Sequence, residues 1–298
     1  MITPPFVKPG ATIGIVSTAR KISKQELLPA LELLDSWGLK AILGHTIGAE
    51  DHQFAGDDGL RTKDFQAMLD NPNIEAIWCA RGGYGTVRML DKLDFTNFKQ
   101  NPKWIAGYSD ITVLHSHVHS FGIETLHAQM PLEIEKRSEA SRESLRKGLF
   151  GELPHLSTPS IHEFNRIGKA TAPLVGGNLS VLYSLCGSPS SLDTRGKILF
   201  IEDLDEYLYH IDRMLQNLKR NGMIHDLAGL IVGGFTKMHD NSIPFGKSAE
   251  AIINELVAPF DYPVCYGFPA GHVEDNRALI FGRKVNLEVS DTSVNLRF

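Results

Sequence analysis

Residues Trp104–His115 read WIAGYSDITVLH, and the first half of the chain is organised around them. Trp104-Ile105-Ala106 is a short apolar run, Gly107-Tyr108 permits a tight turn, and an apolar-periodic stretch follows. The order is strand, turn, helix. Ser109 stands on the turn, where two readings compete. A serine before a helix commonly accepts from the free N–H groups of the first turn as an N-cap. A serine on a sharp strand-to-helix turn can instead be a nucleophile, its hydroxyl held clear of the strand end. The usual G-x-S-x-G is absent, because Ile111 replaces the second glycine, so the local pattern leaves both open.

Working outward, the same alternation recurs. Thr12–Ser17 (TIGIVS) is a buried strand after a Pro-Gly turn. The following SKQELLPALELLDSWG reads as a helix: Ser23 and Glu26 form a capping box, Leu27, Leu31 and Leu34 share a face, and Gly38 ends it. Ala41–Leu43 begins a second strand, RTKDFQAMLD is a helix closed by Asn71-Pro72, Glu75–Ala80 is a third strand and Met89–Leu93 is helical. Strands and helices at βαβ spacing imply a parallel sheet flanked by helices, an α/β fold.

The composition changes near Glu152, where Pro, Ser and other polar residues dominate up to Ala170. The expected organisation is therefore an N-terminal α/β domain over 1–152, a linker over 153–170 and a second domain over 171–298. Strands are expected at Lys197–Glu202, Leu227–Gly233 and Val264–Gly267, with a helix from about Tyr207 to Asn221. Short alternating strands ALIFG, KVNLEVS and SVNLRF close the chain.

Bulk properties narrow the function. The 298 residues are 42% hydrophobic and 22% charged, which suits a globular protein with ample core. A net charge of −5 gives no reason to expect nucleic acid as a partner. No apolar run spans a bilayer, MITPPFVKPG lacks the build of a signal peptide, and Cys79, Cys186 and Cys265 form no CxxC. A cytoplasmic enzyme or binding protein is expected, with no membrane partner.

A serine hydroxyl needs a base, and twelve histidines compete for that role. His115, His117 and His119 in HSHVHS could offer an i, i+4 metal pair, yet HExxH is missing and no acidic residue lies among them. No metal and no cofactor is expected. His272 in YGFPAGHVEDN lies in a loop after a strand, where it could act or be plain surface. Glu202 ends the apolar run ILFI at a strand's C-terminal end, the edge where α/β sheets bind ligands. Asp203, Asp205 and Glu206 can serve the start of the next helix without it. ARGGYGTVR is weak as a nucleotide loop but could face backbone N–H groups to an anion, or be a simple turn. GGNLS reads as a helix entry capped by Asn178.

Taken in order, PGATIGIVSTA, ARGGYGTVRML, GYSDITVLH, LVGGNLSVL, LFIEDLDEYLYHIDRML and YGFPAGHVEDN resemble the LD-carboxypeptidases, a family including murein tetrapeptide carboxypeptidases and microcin C immunity hydrolases. The resemblance implies an α/β N-terminal domain with a smaller β-rich C-terminal domain. By it Ser109 matches the nucleophile, Glu202 the triad acid and His272 the general base, and the backbone N–H groups of Gly83 and Asp110 match the oxyanion hole. The site would then lie between the domains. It further implies a small cell-wall tetrapeptide as substrate, cut between L-lysine or meso-diaminopimelate and a terminal D-alanine, and a homodimer. His127-Ala128-Gln129-Met130 departs from the family's His-Gly-Pro-Met. Two alternatives remain: an immunity-type peptidase acting on a peptidyl-nucleotide, and a non-catalytic small-ligand binding protein.

Overall fold

The computed structural model describes residues 1–152, 155–159 and 162–298. It divides into two compact units, one of Met1–Leu153 with Glu274–Ile280, the other of Pro154–Val273 with Phe281–Phe298.

The first unit is built on a parallel sheet of β1 (Thr12–Val16), β2 (Lys40–Leu43), β3 (Ala76–Cys79), β4 (Trp104–Gly107) and β5 (Thr125–His127), in the order 5-4-3-1-2. Its helices are α1 (Leu28–Ser36), α2 (Asp58–Asp70), α3 (Val87–Leu90), α4 (Thr96–Gln100), α5 (Thr112–His119) and α6 (Glu139–Phe150). Sequence signals for the first turn hold in detail. Ser23 N donates to Glu26 Oε2 at 2.8 Å and Glu26 N to Ser23 Oγ at 3.2 Å, a reciprocal capping box. Leu27 and Leu34 are buried while Leu31 is half-buried, and Gly38 leaves the helix at φ 71°. The central strands β1, β3 and β4 are almost wholly buried, as strands covered on both faces must be.

The second unit holds a sheet whose order is β10-β9-β8-β7-β12-β13-β6. The strands are β6 (His155–Pro159), β7 (Gly168–Asn178), β8 (Ile198–Leu204), β9 (Gly229–Thr236), β10 (Val264–Cys265), β12 (Lys284–Val289) and β13 (Ser293–Arg297). Pairings from β10 to β7 are parallel, and those from β7 to β6 are antiparallel. Helices α7 (Leu179–Ser184), α8 (Leu208–Arg220) and α9 (Ala249–Val257) accompany the parallel part. Ile211, Met214, Leu215 and Leu218 of α8 and Ile252, Ile253 and Leu256 of α9 enter one apolar cluster with Leu199, Ile201 and Leu230 of the sheet.

Part of the stretch read as a linker is structured. His155–Pro159 forms β6, paired with β13, and β7 already begins at Gly168. The reason is positional: β6 is the last strand of its sheet, and an edge strand tolerates the proline and polar residues that disguised it. Leu153, Pro154, Ser160 and Ile161 lie outside the described residues. The closing segment ALIFG also differs from its expected place. Leu279–Phe281 forms β11, which borders β5 in the first sheet. Three serines of α6 hold its approach: Ser138 Oγ donates to Asp275 Oδ1 at 2.7 Å, Ser141 Oγ to Asn276 O at 2.8 Å, and Ser144 Oγ accepts from Ala278 N at 2.8 Å.

Beneath the turn that follows β4, His115 of α5 is buried and bridges two strands. Its Nε2 lies 2.9 Å from Gly107 O and its Nδ1 2.9 Å from Thr125 Oγ1. A carbonyl can only accept, so Nε2 carries the proton and Nδ1 accepts from the threonine hydroxyl. Burial pushes the ring's pKa down to about 4, so it is neutral in the fold. Protonation would put a charge into this buried site and turn the threonine hydroxyl from donor to acceptor. The folded-state pKa lies below the ordinary 6.5, so this group's contribution is present above about pH 6.5 and is lost as pH falls towards 4. His115→Gln is therefore expected to flatten the pH dependence of stability. Urea unfolding of wild type should weaken between pH 7 and 4.5 by on the order of 2 kcal/mol more than that of the variant. Parallel curves for the two proteins would show that His115 does not titrate this way.

Candidate active site

Two constellations carry chemistry, one in each unit. In the first, β4 ends at Gly107 and a helical turn begins at Ser109 itself. Tyr108 occupies the cap position and no side chain caps that turn, so Ser109 is not an N-cap. Its backbone is left-handed, with φ 63°. A non-glycine residue there carries strain of roughly 1 kcal/mol or more, and such strain collects at functional sites. It also puts the serine where the chain reverses from strand to helix, as in a nucleophile elbow. The side chain faces Gly82: a Cβ on Gly82 would stand 3.3 Å from Ser109 Oγ.

Gly82 belongs to the glycine-rich loop after β3, and that loop is fastened to the serine turn. The Asp110 carboxylate accepts from Thr86 N at 2.9 Å. Thr86 Oγ1 lies 2.7 Å from Thr18 Oγ1. The fully buried Arg61 of α2 donates from Nη1 to Gly85 O at 2.9 Å and to Thr18 O at 2.8 Å, and pairs through Nη2 with Asp58. Burial pushes the Asp110 carboxyl above the usual carboxylate range, while the Thr86 bonds and the charges of Arg61 and Arg20 oppose it. Gly83 adopts φ 111°, a conformation that strains any residue with a Cβ, and such a Cβ would also stand 2.6 Å from the Arg20 side chain, which would have to move. In the departing His127–Met130 block, Gln129 is buried and satisfied. Its Nε2 donates to Met130 O at 3.1 Å and its Oε1 accepts from Asn276 Nδ2 at 3.4 Å.

In the second unit, β8 delivers Glu202 and Asp203 at consecutive positions, and a register shift against β9 falls between Ile201 and Asp203. Successive strand residues face opposite ways. Glu202 is fully buried and meets His272: Nδ1 lies 2.6 Å from Oε2, and the His272 backbone N–H donates to the same oxygen at 3.1 Å. Gly271 makes the approach possible, since a Cβ there would stand 2.6 to 2.7 Å from Glu202 side-chain atoms. The carboxylate accepts, so Nδ1 carries the proton and Nε2 holds the lone pair in the neutral ring. That is the orientation a general base needs.

Asp203 points the other way. Asn178 Nδ2 donates to its Oδ1 at 2.9 Å and Ser180 N to its Oδ2 at 2.9 Å. It therefore serves the start of α7 beside the expected cap Asn178, whose Oδ1 accepts from Val181 N at 3.2 Å. The expectation that Asp203 serves the start of α8 is corrected: α8 begins at Leu208, four residues beyond the end of β8. Burial and the neighbouring Glu202 charge raise the Asp203 pKa to about 7.

The HSHVHS histidines separate. His115 faces the sheet, whereas His117 packs on Phe95 and Phe121 at ring distances of 5.2 and 4.9 Å. Among the described residues no group of three or more His, Cys, Asp or Glu is placed to hold a metal ion. Cys79, Cys186 and Cys265 are free thiols. No helix among the described residues is long and apolar enough to cross a membrane. Sequence reasoning missed Arg61, Thr86 and His115, because nothing in a helical arginine, a loop threonine or one of three histidines marks what it will touch after folding.

The two units, one with a mainly parallel sheet flanked by helices and the other with a mixed sheet, define a two-domain α/β protein. Residues 13–128 match the LD-carboxypeptidase N-terminal domain and residues 171–287 the LD-carboxypeptidase C-terminal domain, and the chain belongs to the LD-carboxypeptidase family of peptidases. It is 34% identical to the probable murein peptide carboxypeptidase of Bacillus subtilis, over 97% of this chain and 92% of that protein. It is 26% identical to the microcin self-immunity protein of Escherichia coli, over 96% of this chain and 93% of that one. Its fold superposes on the crystal structure of muramoyltetrapeptide carboxypeptidase from Oxalobacter formigenes with a TM-score of 0.86, at 26% identity, covering 96% and 98% of the two chains.

The pairing of His272 with Glu202, and not with Asp203, has a direct spectroscopic test. A short Nδ1–H···carboxylate bond deshields its proton, so wild type should show a histidine N–H resonance well downfield of the amides. Glu202→Gln should abolish or strongly shift it and Asp203→Asn should leave it in place. The reverse pattern would reassign the histidine's partner.

Proposed function

We propose that this protein is a serine-type LD-carboxypeptidase. It would hydrolyse the amide between an L-centre, L-lysine or meso-diaminopimelate, and the C-terminal D-alanine of murein tetrapeptides. The observation that carries the reading is Ser109, held left-handed at φ 63° where β4 turns into a helix. The 2.6 Å Glu202–His272 pair supplies the matching base and orienter.

In the proposed reaction Ser109 Oγ attacks the scissile carbonyl carbon as His272 Nε2 takes its proton. Glu202 stabilises the imidazolium and keeps the ring in its tautomer. The carbonyl oxygen becomes an oxyanion that the backbone N–H groups of Gly83 and Asp110 stabilise. His272 then protonates the departing amine, D-alanine leaves, and a water deprotonated by the same nitrogen frees the acyl-enzyme. No metal or cofactor takes part. The three free thiols and the resemblance support a cytoplasmic role in recycling cell-wall peptides, and the resemblance alone supports a homodimer.

The reading is tested by incubation with L-lysine- and diaminopimelate-type tetrapeptides while D-alanine release is followed. Release is expected from wild type, and Ser109→Ala should lower kcat by about 10⁴-fold or more without unfolding the protein. Glu202→Gln should cost about 10²- to 10⁴-fold in kcat with KM little changed, and Asp203→Asn much less. Chelator treatment should change nothing; activity lost with EDTA and restored by zinc would replace the serine mechanism with a metal one. Cleavage of a peptidyl-nucleotide conjugate with no D-alanine release would favour an immunity-type peptidase. Binding without turnover of either would favour the non-catalytic reading.

A further inference from the structure

A carboxypeptidase must distinguish a chain end from an internal amide, so some group has to recognise the terminal carboxylate. Four arginines and a lysine surround the glycine-rich loop, and most are committed elsewhere. Arg61 is buried against Thr18 O and Gly85 O. Arg88 pairs with Asp58 at 2.9 Å, Lys21 with Glu50 at 2.8 Å, and Arg81 Nη1 donates to Lys21 O at 2.9 Å.

Arg20 differs from these. Its backbone is anchored: Ser17 Oγ donates to Arg20 O at 2.6 Å, and Arg20 N donates to Gly82 O at 3.4 Å. Its side chain is exposed, lies across Gly83 and has no carboxylate within ion-pair distance among the described residues. A Cβ on Gly83 would stand 2.7 Å from Arg20 Nε, so the guanidinium starts directly beside the residue whose N–H is proposed to hold the oxyanion.

We propose that Arg20 reads the α-carboxylate of the residue to be released. The inference rests on the LD-carboxypeptidase reading above. In a C-terminal residue the carboxylate carbon lies three bonds past the scissile carbonyl carbon, roughly 4 Å away by standard backbone dimensions. A guanidinium flanking the oxyanion donor lies within that reach. Its planar fork suits a carboxylate bidentately, in a way a lysine does not reproduce. Asp110 feels the Arg20 charge, but its carboxylate accepts from Thr86 N and makes no ion pair with Arg20 among the described residues. Gly83 thus has two duties: its backbone turns left-handed, and its missing side chain leaves room for Arg20.

A cycle of enzyme and substrate changes tests the assignment. Wild type and Arg20→Gln are each assayed on an LD-tetrapeptide ending in a free D-alanine carboxylate and on the same peptide ending in D-alanine amide. A charge-assisted pair should be worth roughly 10- to 100-fold in kcat/KM. Wild type is expected to prefer the carboxylate by at least that factor. Arg20→Gln should lose most of the preference, chiefly through KM, with turnover of the amide nearly unchanged. Arg20→Lys, which keeps the charge but not the fork, should fall between. An Arg20→Gln enzyme that keeps the wild-type preference overturns the assignment. Equal losses on both substrates overturn it too, since they would mean that Arg20 only props the Gly83 turn. A wild type that releases neither D-alanine nor its amide overturns instead the reading on which the inference rests.

Discussion

One hydrogen bond organises the first unit's chemistry: Thr86 N–H to the Asp110 carboxylate, at 2.9 Å. Asp110 follows the strained serine, and Thr86 closes the loop that begins after β3. Two turns from two strands are thereby locked in register. A buried carboxylate is expensive unless it is paired or hydrogen-bonded. Arg61 lies close enough to oppose that cost, and it also holds the same loop by Gly85 O. Removing the Asp110 carboxylate would strip Thr86 N–H of its acceptor, and removing Arg61 would strip Gly85 O and Thr18 O of their donor.

The second unit solves a different problem, two adjacent acids inside one strand. Strand alternation sends Glu202 to the histidine and Asp203 to the first turn of α7. Each acid has hydrogen-bond donors of its own, so neither depends on the other's partner. Burial raises the pKa of Asp203, and the neighbouring Glu202 charge adds to that rise.

Much of this was legible in the sequence, unevenly. The strands β1, β3, β4 and β8 announce themselves as apolar runs, and the Ser23–Glu26 box and Asn178 cap act as their chemistry dictates. β6 escaped because an edge strand need not be apolar, and α6 because it buries mostly small residues such as Ser141, Ser144 and Gly148. The local pattern could not separate cap from nucleophile at Ser109, since both use a serine before a helix. The structure removes the cap reading, since Tyr108 holds the cap position and Ser109 is left-handed, and a backbone angle is not written in residue types. Asp203 was assigned to the nearer helix in sequence, whereas the strand face directs it to another.

The return of Glu274–Ile280 to the first unit bears on how this chain can be divided. A fragment stopping near Glu152 would contain the whole glycine-rich loop and the serine turn, yet it would lack β11. The three-residue β5 would then become a bare sheet edge, and Ser138, Ser141 and Ser144 would face empty space where backbone should be. An unpaired edge invites pairing with another chain. The unit is thus spatially whole but genetically discontinuous: its boundary is a cut through the fold, not through the gene. Isolating it would take a linker from 152 back along α6, because Glu274 O accepts from Ser138 N at the opposite end of that twelve-residue helix, roughly 18 Å away.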